Sequence, residues 1–102
     1  MRVSMQVISN GSYRLCKITR KFWVRDRQVA VLTAKQFNMM GLLVKASPEN
    51  VSSEDLLKAI SKNADADLGK VDIYIHRLRI RLGRFGSHIQ NGYGKGFRLS
   101  SS

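Results

Sequence analysis

Apolar residues in the last third of the chain recur at a helical interval. Val71, Ile75, Leu78 and Leu82 stand at i, i+4, i+7 and i+11, the repeat that keeps one helix face apolar. At about 100° per residue, Ile73, His76, Arg77, Ile80 and Arg84 point the other way. The pattern predicts an amphipathic helix over about 68–83. A short basic ribbon follows, punctuated by Gly92, Gly94 and Gly96.

The N-terminal third reads as a strand meander. Val3 to Ser9 precedes Asn10-Gly11, a hairpin signal because both residues tolerate positive φ. Tyr13 to Ile18, Lys21 to Arg25 and Gln28 to Leu32 are predicted as the next three strands, with a weaker turn at Asp26-Arg27. Thr33-Ala34-Lys35-Gln36 has the form of a capping box, opening a helix whose stripe is Phe37, Met40 and Val44, helped by Leu43. Met39 and Leu42 are expected in or near the core. Pro48 disfavours helix at Ser47 and ends the element. Ser52 and Asp55 are predicted to form a second capping box, opening a short helix with Leu56, Leu57 and Ile60. A polar link from Ser61 to Asp67 leads into the basic helix, where Asp67 is a candidate cap.

This order predicts an α+β domain. It has a four-stranded antiparallel sheet over 1–32, a three-helix core over 33–83 and a C-terminal hairpin over 88–99. A length of 102 residues suits one domain with a modest core. A hydrophobic fraction of 43% is ordinary for a folded chain.

Charge changes the picture. The net charge is +11, and it is unevenly spread: residues 1–33 and 69–102 each hold seven basic and one acidic side chain, while 34–68 hold four and five. An excess gathered at the two ends of so small a chain favours a polyanionic partner. A helix that buries one side and offers Arg, His and Tyr on the rest suits a duplex major groove. The ribbon beside it suits the neighbouring backbone or minor groove. Together they predict a winged helix-turn-helix.

Other chemistry finds little support. His76 and His88 read as surface residues, with no Cys or His at metal spacing, so no metal or cofactor is expected. Asp72 belongs to a first helical turn, where a carboxylate favours the macrodipole. The alternating glycines lack the following helix that a dinucleotide loop needs. Phe22 and Trp23 read as packing residues. No nucleophile, base and oxyanion site assembles, so an enzyme is not expected. The lone Cys16, in a predicted strand, reads as a buried thiol compatible with a reducing cytoplasm. No signal peptide and no apolar stretch near ~18–20 residues is present, so membrane spanning is unsupported.

Four blocks carry a resemblance. Leu32-Thr33-Ala34-Lys35-Gln36-Phe37, Val51-Ser52-Ser53-Glu54-Asp55-Leu56-Leu57, Val71-Asp72-Ile73-Tyr74-Ile75-His76-Arg77-Leu78-Arg79 and Gly94-Lys95-Gly96-Phe97-Arg98-Leu99 resemble, in order, the effector domain of OmpR/PhoB-type response regulators. The resemblance implies promoter binding, with the third helix reading the major groove through Lys70, Ile73, Tyr74, His76, Arg77 and Arg79. In the wing it implies Asn91, Tyr93, Lys95 and Arg98, and at the start of the second helix Ser52 and Ser53 against the DNA backbone. It also implies tandem half-sites bound by a monomer that pairs on DNA or a weak homodimer. Asp65, in the link before the third helix, becomes a candidate contact to RNA polymerase. The chain departs from the pattern at Tyr93 and Ser53, where many relatives carry arginine, and at Ser61, where an aromatic is common. A receiver domain of the two-component kind has no room in 102 residues, so an excised effector domain or a stand-alone regulator is expected. Two other readings fit a basic winged helix: a module that inhibits another regulator or RNA polymerase, and a nonspecific nucleoid- or RNA-binding protein.

Overall fold

The computed structural model describes residues 6–61, 67–92, 94 and 96–100. Four strands come first: β1 (Val7–Asn10), β2 (Tyr13–Cys16), β3 (Lys21–Val24) and β4 (Arg27–Val31). They pair antiparallel in the order β1-β2-β3-β4. Gly11, at φ 60°, makes the first hairpin turn, and Asn10 faces Tyr13 across it. Tyr13 and Leu15 of β2, Phe22 and Val24 of β3 and Ala30 of β4 put one face of the sheet into the core.

Three helices follow: α1 (Ala34–Ala46), α2 (Ser53–Ile60) and α3 (Gly69–Leu82). Thr33 closes the predicted capping box on α1, its hydroxyl accepting from the Gln36 N–H while the Gln36 side chain accepts from the Thr33 N–H. Ser52 makes half of the second box, accepting from the Asp55 N–H at 3.1 Å. Met39, Met40, Leu43 and Val44 of α1 lie under the sheet, and the core continues through Leu56, Ile60, Val71, Ile75, Leu78 and Leu82. Each buried aliphatic side chain is worth about 1.5–3 kcal/mol, so the four on α3 set its rotation. Turning it over would expose them and bury Ile73, His76 and Arg77, and burying an unpaired guanidinium group costs several kcal/mol.

A 3-10 helix (Gly83–His88), absent from the sequence reading, links α3 to a second hairpin of β5 (Ile89–Asn91) and β6 (Phe97–Leu99). Gly86 fits there because a Cβ would collide with the Arg79 carbonyl. Val51, just before α2, exchanges both backbone hydrogen bonds with Phe97, at 2.7 and 3.0 Å. The hairpin is thereby joined to the helical core.

Side chains distant in sequence lock these layers. Asn10 Nδ2 donates to the carbonyls of Val44 and Ser47, both at 2.9 Å, satisfying the end of α1 from the first hairpin. Ser47 Oγ donates to the Leu99 carbonyl at 2.6 Å. Arg81 Nε donates to the Val31 carbonyl at 3.0 Å, holding α3 against β4.

Two sequence readings need correction. Cys16 is half-buried at the end of β2. Hydrogen bonds from the Thr19 hydroxyl and backbone hold its thiol below the ordinary cysteine range, despite an opposing effect of burial. His88 is a half-buried junction rather than a surface residue, with Nδ1 2.8 Å from the Tyr13 hydroxyl. Burial, and secondarily the charge of Arg25, lowers the His88 pKa.

The folded His88 therefore titrates below the unfolded value of about 6.5. Between the two values the unfolded chain binds more protons, so stability is full above about 6.5 and falls as pH drops through the folded value. Urea unfolding from about pH 7.5 to about pH 5 is expected to show this loss, and His88→Gln to flatten it. An unchanged pH profile in that variant would contradict the assignment.

Candidate nucleic-acid interface

The helix α3 begins without a side-chain cap on Leu68. Asp67 instead accepts from the Gly69 N–H at 2.9 Å, and Asp72 stands in the first turn near the positive end of the dipole. Because Val71, Ile75, Leu78 and Leu82 face inward, Ile73, Arg77 and Ile80 form the outward row of α3. Arg84, expected in that row, lies past the end of α3 in the 3-10 helix, because Gly83 at φ 61° breaks the α-helical course. Ile73 and Ile80 are 52% and 67% exposed, unusual for isoleucine.

Lys70, Ile73, His76 and Arg77 are all exposed on this helix. Tyr74 is half-buried on one flank, with the Arg77 guanidinium 5.7 Å and the Lys35 ammonium 5.8 Å from its ring centroid. Both are within cation–π range. The approach of Lys35 from α1 was not visible in the sequence, since 39 positions separate it from Tyr74.

Arg79 lies on the other flank and is tied inward. Its Nε and Nη2 donate to the Ile89 carbonyl at 3.0 and 2.9 Å, and Nη2 donates to Asn91 Oδ1 at 3.0 Å. Its guanidinium also stands 5.8 Å from the Phe97 ring centroid. One side chain thus joins α3 to both strands of the hairpin. The resemblance implies Arg79 and Asn91 as DNA contacts; in the structure they are hydrogen-bonded to each other.

In the hairpin, the Gly92 N–H donates to the Gly96 carbonyl at 2.8 Å. Gly96 has φ 105°, and a Cβ there would collide with the Val51 carbonyl. Arg98 is half-buried, its Nε donating to Gln90 Oε1 at 3.0 Å. Tyr93, Lys95 and Asp65 lie outside the described residues. Ser52 and Ser53 are half-buried at the start of α2, with the Ser52 hydroxyl engaged as the helix cap.

No helix among the described residues is long and apolar enough to cross a membrane. Nor does any group of three His, Cys, Asp or Glu side chains among them converge as metal ligands would.

A sheet, three helices with the third turned outward, and a hairpin pinned beside it define a winged helix-turn-helix. Residues 26–99 match the family model described as transcriptional regulatory protein, C terminal. The chain belongs to this family, the OmpR/PhoB-type effector domains, a family of DNA-binding transcription-regulator domains and not of enzymes. The structure is similar to the response regulator DrrB of Thermotoga maritima, an OmpR/PhoB homolog: TM-score 0.73, 17% identity, over 94% of this chain and 45% of DrrB. It is similar to the DNA-binding domain of the response regulator AdeR, solved in complex with an intercistronic region: TM-score 0.73, 18% identity, over 93% of this chain and 99% of that one. It is also similar to the Klebsiella pneumoniae RstA DNA-binding domain, solved with the RstA box: TM-score 0.68, 25% identity, over 93% and 97%. The chain spans under half of DrrB. No curated protein matches the sequence.

The Arg79 bridge is testable. Lysine is a point charge without the planar fork of Arg79. Arg79→Lys is expected to cost about 1–2 kcal/mol of stability and to speed amide exchange in β5 and β6. Exchange in β5 and β6 at the parent rate would show that the hairpin is held by other contacts.

Proposed function

We propose that this domain binds double-stranded DNA with sequence preference and regulates transcription, α3 lying in the major groove and the hairpin against the adjacent backbone or minor groove. The observation that carries the reading is the outward strip of α3. Ile73, His76 and Arg77 stand exposed on a helix whose opposite side is anchored by four buried aliphatic residues. The complexes solved for the AdeR and RstA domains support the same use of the fold.

The roles follow from side-chain chemistry. Arg77 can donate two parallel hydrogen bonds to guanine O6 and N7, and Ile73 suits the methyl group of thymine. His76 lies between them and the hairpin side. Lys70 and Tyr74 contact phosphate at the groove edge, which sets register without reading sequence. Arg79 and Asn91 act chiefly by positioning the hairpin, while Lys95, Arg98 and Tyr93 meet the backbone. Ser52 and Ser53 present the start of α2 to a phosphate. Asp65 is the candidate contact to RNA polymerase. The domain works in the cytoplasm and pairs on tandem half-sites.

Selection of bound duplexes from a random pool tests the reading: an enriched motif is expected, and a flat pool would overturn it. On the enriched duplex, Arg77→Ala should lose about 1–3 kcal/mol of discrimination, with a clearly smaller loss on random duplex. Equal losses on both duplexes would contradict base reading by Arg77. Binding should also weaken steeply as salt rises, because each neutralised phosphate releases counterions.

A further inference from the structure

A cavity of about 240 Å³ opens between the first turn of α1, the end of α2 and one flank of α3. Lys35, Lys70, Tyr74, Arg77, Ile73 and Ser61 line it, and no acidic residue does among the described residues. Its cations come from two different helices, yet they converge. Lys35 and Arg77 both stand beside the one Tyr74 ring, and Lys70 is one helical turn before that tyrosine. An aromatic face attracts cations but carries no net charge, so among the described residues lining the cavity nothing offsets the repulsion among the three. Such a site suits an anion with several acceptor oxygens.

We infer that this cavity receives one backbone phosphate of the bound duplex, held by Lys35 from α1 and Lys70 from α3. The inference rests on the duplex-binding reading above and extends the interface beyond α3 and the hairpin. Its placement favours a duplex phosphate, because Ile73 and Arg77 belong both to the cavity wall and to the outward strip of α3. A base pair met by Arg77 brings its own strand to the cavity mouth. Tyr74 is the positioning residue: its ring keeps the Lys35 ammonium beside α3, and Arg77 adds positive potential while its fork stays with the base.

Lys35 is exposed, so Lys35→Gln keeps the fold and removes only the charge. Salt titrations with random-sequence duplex and with the enriched duplex are expected to show a shallower slope of log K against log salt, by at most about 0.9, the value of one phosphate contact, because Lys70 remains. Lys45→Gln, at the far end of α1 on a separate groove, should leave the slope unchanged. Replacing single phosphates of the enriched duplex by neutral methylphosphonate should reveal one position that weakens the parent protein more than it weakens Lys35→Gln. Parental slopes in Lys35→Gln, or equal methylphosphonate losses in both proteins, would overturn the inference while leaving base reading by Arg77 intact. A flat selection pool would instead sink the reading on which it rests. Inorganic phosphate, followed by NMR at Tyr74, distinguishes the other source of the same chemistry. Only weak, unsaturated shifts are expected, and tight saturable binding that persists with duplex present would overturn the assignment to a backbone phosphate.

Discussion

Four aliphatic side chains on one helix govern the rest of this structure. Val71, Ile75, Leu78 and Leu82 are each no more than 2% exposed, and their burial against the core leaves α3 one stable rotation. The outward row of Ile73, Arg77 and Ile80 follows from that, since helical geometry puts these residues opposite the buried face. The proposed DNA-reading residues therefore lie on the side of the helix that stability does not use. The exposed isoleucines mark the division: an apolar residue more than half exposed contributes little to folding and is available to a ligand.

The hairpin matters because its strands are tied to this helix and to the core by several contacts. Arg79 reaches across to β5, Gly86 lets the 3-10 helix close onto the Arg79 backbone, and Val51 pairs with Phe97 from the start of α2. Gly96 permits that pairing, having no Cβ to strike the Val51 carbonyl. Two surfaces held at a set separation can meet one duplex together, with the ordering entropy spent during folding rather than at binding. The Arg81 bond to β4 and the Asn10 bonds to the end of α1 extend the same rigidity into the sheet.

Much of this was legible in the sequence where the controlling physics is local. The Asn10-Gly11 hairpin, the Thr33–Gln36 capping box and the apolar face of α3 each depend on residues within one or two turns of each other. Bonds between distant segments were not legible. Nothing near Asn10 signals that its amide ends α1, and nothing near Arg79 separates a phosphate ligand from a strut to β5. The 3-10 helix is only six residues long, too short for a period to show. Cys16 is half-buried, not buried as its position in a strand pattern suggests, because β2 ends at Cys16 and not at Ile18. Lys35 was read as part of a capping motif, and its approach to Tyr74 exists only once α1 and α3 are packed.

On the proposed function, the outward side of α3 is the surface that meets DNA. NMR of methyl- and amide-labelled protein mixed with the selected duplex addresses it most directly. Intermolecular contacts from the Ile73 methyl groups to base protons are expected, with the largest shifts at Ile73, His76 and Arg77. Shifts confined to the groove of Ile8, Phe37 and Leu42, with Ile73 undisturbed, would contradict the account.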